Sequence, residues 1–124
     1  MEQLASLFFH SRTQAHVYHL GVKGPGSFAA HSALQLYYDG IVELVDGLVE
    51  SYQGKNGLIK FQEVDGLDTN CDIDNIVKYF EKLCTALDKL RKEEKLQDTW
   101  IQNQIDNIAQ LLYSTKYKLV NLAY

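Results

Sequence analysis

His19-Leu20-Gly21-Val22-Lys23-Gly24-Pro25-Gly26-Ser27-Phe28-Ala29-Ala30-His31 decides how this chain folds. Within its residues 21–26 stand three glycines and the only proline of the chain, a strong helix break. Before the break, over 2–20, Leu4, Leu7, Phe8, Ser11, Ala15 and Tyr18 recur at steps of three and four, the period of a helix. After it Ser27 is an N-cap candidate. A second helix over about 28–52 then carries Leu34, Tyr38, Ile41, Val42, Val45, Leu48 and Val49, and Gly54-Lys55-Asn56-Gly57 ends it. The break is short, so the two helices form an antiparallel hairpin. Ala33, Gly40 and Gly47, seven apart, line a stripe that lets another helix approach closely.

Residues 58–70 lack a clean period and read as a crossover holding at most one short helix or extended piece. A third helix opens at Asp72 and continues through Ile73, Ile76, Val77, Phe80, Leu83, Cys84, Leu87 and Leu90. The basic run over 89–95 suits the negative end of its dipole. Asp98 caps a fourth helix with Ile101, Ile105, Ile108, Leu112, Leu119 and Leu122 on one face. The connection between the second and third helices, roughly 18 residues, can span nearly 60 Å extended, against about 36 Å for a 24-residue helix. It can therefore return along the whole bundle and leave those helices parallel. The expected fold is all-α, one domain over 1–124, a ferritin-like four-helix bundle of two hairpins joined by a long crossover.

Composition narrows the function classes. Hydrophobic residues at 46% and charged residues at 23% fit a globular domain, and no apolar run reaches the length of a membrane span. The start of the chain, Met1-Glu2-Gln3, lacks a basic leader region. A net charge of −4 argues against nucleic-acid binding. The two cysteines, Cys71 and Cys84, are too few for a disulfide framework, so a reducing, cytoplasmic setting is expected.

Four residues carry chemistry. The turn folds His19 and His31 to the same end of the hairpin, and neutral imidazole is a common ligand for iron and zinc. Asp46 and Glu50, four apart, share a face of the second helix that also takes in His31. Along the axis, however, His31 and Asp46 are roughly 22 Å apart at 1.5 Å per residue, so no single ion bridges them. One site built from all four needs two chains with their second helices antiparallel, a two-fold dimer whose axis passes near Tyr38, Asp39 and Val42.

This stretch resembles the segment joining the first two helices of the Dps proteins, the miniferritins. Those read His-Trp-Asn-Val-Lys-Gly-Pro, then Phe, then Leu-His. Val22-Lys23-Gly24-Pro25, Phe28, the spacing from His19 to His31 and Asp46-x-x-x-Glu50 all match, over roughly residues 12–54. The resemblance implies an iron site at His19, His31, Asp46 and Glu50, shared across a dimer interface, that oxidises Fe(II) with peroxide or oxygen (ferroxidase activity). It also implies a homo-oligomer, a dimer at least and a dodecamer when the storage shell assembles. Gln35, His16 and Asp39 are candidates for supporting positions around the metal, although His16 reads as exposed. Three departures stand out. Gln35 replaces the family's Asp, and a neutral amide is a weaker ligand for iron; Leu20 replaces its Trp; and the lysine-rich tail that would hold DNA is missing. Trp100-Ile101-Gln102-Asn103-Gln104-Ile105-Asp106 and Thr115-Lys116-Tyr117-Lys118-Leu119 are weakly similar to small proteins of tailed phages, which puts the setting in a bacterial or phage-infected cell. The alternative is a non-catalytic viral or accessory interaction protein, or a structural one, that kept the fold and lost the chemistry. Zinc in a structural dimer is a further option.

Overall fold

The computed structural model describes residues 1–123. Among them the chain is helical and has no strand: α1 (Glu2–Gly21), α2 (Ser27–Asn56), α3 (Ile73–Leu90), a single 3-10 turn (Glu94–Leu96) and α4 (Thr99–Asn121). None of these helices is long and apolar enough to cross a membrane.

The break between α1 and α2 is a type II turn. Gly24 accepts from the Ser27 N–H at 3.1 Å, Pro25 follows it, and Gly26 takes φ 79° and ψ −4°, the left-handed position such a turn requires. Gly26, rather than Ser27, is therefore the residue that opens α2, and its carbonyl receives the Ala30 N–H. α2 runs one turn beyond the expected 52 and stops at Gly57, whose φ of 88° a side chain would resist.

The helices form a ring in which α1 touches α2, α2 touches α4, α4 touches α3 and α3 touches α1. Their inner faces supply one core: Leu4, Phe8 and Tyr18 of α1, Leu34, Tyr37, Ile41 and Leu48 of α2, Ile76, Phe80 and Leu87 of α3, and Ile101, Ile105, Ile108 and Leu112 of α4. Each of these side chains contributes roughly 1.5–3 kcal/mol by leaving water. Tyr37 meets Phe80 edge-on with centroids 4.9 Å apart, and its hydroxyl pairs with Ser11 Oγ at 2.6 Å. The small-residue stripe faces α4: a methyl on Gly40 would touch Leu111 at 3.3 Å, and one on Gly47 would lie 3.9 Å from Gln104.

Residues 57–72 contain neither helix nor strand. They are held along α1 by polar side chains spaced four apart on it. Ser6 Oγ accepts from the Gln62 N–H at 2.8 Å, and His10 Nε2 donates to the Gly66 carbonyl at 3.2 Å. Gln14 exchanges two bonds with the Asp68 backbone at 2.7 and 2.8 Å, and Tyr18 donates to the Asp68 carboxylate at 2.7 Å. From Ser6 to Tyr18 is about 18 Å of helix, and six extended residues cover about 20 Å, so the strap is nearly straight. It delivers Cys71 to the end of α1, beside Gly21. α3 then descends until Glu93, just past its end, meets the Met1 amino group at 2.8 Å.

Asp68 is the strap's main anchor. The Asn70 N–H, then the Tyr18 hydroxyl and the Asn75 amide, all donate to it and hold its carboxyl below the usual value of 3.8. A depressed carboxylate stabilises the fold above its unfolded-state value, and that contribution disappears as pH falls through the folded-state value. Asp68→Asn is therefore expected to melt below wild type at pH 7, with the gap closing as the pH drops below about 4. Melting curves of both proteins between pH 3 and 7 test this.

Candidate metal centre at the α1–α2 turn

The turn brings two imidazoles face to face. The rings of His19 and His31 stack with centroids 3.5 Å apart and planes 20° from parallel. Nδ1 of His19 lies 2.7 Å from the carbonyl oxygen of His31, and Nδ1 of His31 lies 2.9 Å from the carbonyl oxygen of His19. A carbonyl only accepts, so both Nδ1 atoms carry the proton. In the neutral ring the lone pair is then on Nε2, and neither Nε2 has a hydrogen-bond partner among the described residues. A metal-ligating histidine is commonly oriented in this way, by a hydrogen bond from its other ring nitrogen to a carbonyl or carboxylate. The same bonds also have a local role. The His19 carbonyl is among the last four of α1, which lack a partner within their own helix, and His31 supplies one.

Two further rings extend the pair. His16 stacks on Tyr38 at 4.3 Å, and both present edges to His19, at 5.9 and 5.2 Å. Arg12 places its guanidinium 5.5 Å from the Tyr38 centroid. His16 is thus half-buried in a stack and not simply exposed, because α1 and α2 bring it level with Tyr38. Arg12, His16 and His19 follow at steps of four and three on α1. That spacing is visible in the sequence, but its meaning depends on which α2 ring lies opposite.

His19 is buried and His31 half-buried, while Gln35, Asp39, Asp46 and Glu50 are all exposed on α2. Asp46 and Glu50 make no hydrogen bond or ion pair among the described residues. Nor, among those residues, do three or more His, Cys, Asp or Glu side chains converge as a metal-binding group. Within one chain the imidazole pair and the carboxylate pair stand apart. Leu20, next to His19 in the chain, and Phe28, one turn before His31, are 74% and 81% exposed, and Leu36 and Val42 of α2 are exposed as well. Cys84 is buried and burial raises its thiol pKa; Cys71 is half-buried, and both are free thiols.

A family model described as a family of unknown function, DUF5856, matches residues 24–119. That span starts inside the type II turn and includes His31, Asp46 and Glu50, while His16 and His19 precede it. No curated protein and no solved structure matches the chain.

Proposed function

The chain belongs to DUF5856, a family of unknown function, and for this chain we propose, from its own residues, that it binds and oxidises Fe(II) at sites shared between two copies. In this reading the bundle is ferritin-like and resembles the Dps proteins. His19 and His31 of one copy meet Asp46 and Glu50 of its mate. A two-fold axis across antiparallel α2 helices generates two equal sites. Iron is the substrate, and the carboxylates favour the Fe(III) that peroxide or oxygen leaves behind. A dimer is the smallest working unit, and a dodecameric shell would store the product. The two free thiols suit a reducing, cytoplasmic setting.

One observation carries this reading: the reciprocal Nδ1–carbonyl bonds, which leave both Nε2 lone pairs available beside an open face. The opposing reading, a non-catalytic interaction protein, has its own support. His31 already completes the end of α1, and Gln35 stands where the resembled family has a carboxylate. Zinc in place of iron would make the dimer structural.

Anaerobic titration with Fe(II), followed by a stopped-flow pulse of peroxide, separates them. The expected result is about one Fe(II) per chain and rapid growth of Fe(III) absorbance in the near ultraviolet. Zn(II) binding with no Fe(II) oxidation would favour the structural dimer, and no metal uptake at all would favour the interaction protein.

A further inference from the structure

The shared site has an electrostatic problem that one residue is placed to solve. α2 exposes Asp39, Glu43, Asp46 and Glu50. Across α1 and α2 the only lysine or arginine residues are Arg12 and Lys55. Lys55 is bonded to Asp98 at 2.5 Å, far from the turn. Arg12 has no carboxylate partner among the described residues; the Tyr38 ring is what it touches.

Setting His31 against the partner's Asp46 in antiparallel α2 helices fixes the register, and it brings Tyr38 level with the partner's Asp39. The axis then passes between the two Asp39 carboxylates. Facing like charges oppose association, and a cation between them reverses the sign. Arg12 stands over Tyr38, at the level of that axis.

We propose that Arg12 pairs with the partner's Asp39 across the two-fold axis of a dimer of this chain, and that the two equivalent pairs set the register of the shared site. The proposal rests on the two-copy reading above. Arginine suits the position because its flat guanidinium stacks on an aromatic ring while its edge presents a fork to a carboxylate. Arg12 is thus a positioning residue, acting on the metal site through the alignment of α2 helices.

The test is a charge exchange read by sedimentation velocity on metal-free protein, with circular dichroism confirming helix content. Arg12→Glu and Asp39→Arg, singly, are each expected to weaken dimerisation about tenfold or more, and raised salt to weaken the wild type. The double variant Arg12→Glu/Asp39→Arg is expected to regain most of the wild-type affinity. A merely structural Arg12 gives no such rescue, and a double variant as weak as the singles overturns the pairing. So do single variants that dimerise like wild type. Loss of the pairing alone leaves wild type dimeric and able to bind Fe(II). A wild type that stays monomeric with and without Fe(II) overturns the shared site as well.

Discussion

Mixing His31→Ala chains with Glu50→Ala chains, each inactive alone, is expected to restore about a quarter of the wild-type iron sites. Each parent dimer carries the same defect in both sites, so neither binds. In a one-to-one mixture refolded together, about half the dimers are mixed. One site of a mixed dimer joins the altered imidazole pair to the altered carboxylate pair and is dead. The other joins an intact pair to an intact pair. Half the dimers with one site in two alive gives about a quarter. The structure makes Glu50 the cleaner partner for this experiment. It is exposed and unbonded, so its removal leaves the fold as it was. His31→Ala also strips a hydrogen bond from the His19 carbonyl, at a cost of about 1 kcal/mol, and its helix content needs checking. Anaerobic Fe(II) titration of the parents and the mixture decides. A Glu50→Ala parent that binds iron like wild type, or a mixture that binds none, removes the shared site.

The four helices are legible in the sequence because apolar residues recur at steps of three and four in each and clear breaks separate them, with α1 far less one-sided than α3. α3 is the clearest case, with Ile76, Phe80, Leu83 and Leu87 buried along one stripe. The crossover is not legible in the same way. Its order comes from Ser6, His10, Gln14 and Tyr18, polar groups four apart on a helix 50 to 56 residues earlier in the chain. Nothing local to 57–72 announces that contact. A polar stripe at helical spacing on α1 is the signal that was present, and it reads equally well as a solvated face until the strap is laid on it. The imidazole pair is legible because the turn between them is short and unambiguous. The stack of Arg12, Tyr38 and His16 needs the register of α1 against α2, which packing decides and periodicity does not. Likewise the 3-10 turn at Glu94–Leu96 follows from tertiary bonds. The Gln102 amide donates to the carbonyls of Arg91 and Leu96, and Arg91 reaches back to Gln102 and Asp106.

Gly26→Ala is expected to be the most damaging single change in the turn, lowering the melting temperature by roughly 10 °C or more, as several kcal/mol would in a domain of this size. Two costs combine. The residue has φ 79°, which costs an L side chain roughly 1–2 kcal/mol. The added methyl would also run into the carbonyl of Ala123, just past the end of α4, and backbone cannot swing aside as a flexible side chain can. Gly24→Ala separates the two costs. Gly24 has φ 88° with nothing within 4 Å of the new carbon, so it bears the conformational strain alone and should lose only a few degrees. The clash also reaches the candidate metal centre, because the type II turn holds His19 and His31 in register. Relief of the clash by opening the turn parts the stacked rings and lengthens the 2.7 and 2.9 Å bonds between them. The imidazole Nδ1 protons should then lose their protection in proton NMR spectra of Gly26→Ala and keep it in Gly24→Ala. If the two variants melt together, the contact with Ala123 contributes nothing. If the Nδ1 protons survive in Gly26→Ala, the turn stays closed and the clash is relieved at the end of α4 instead.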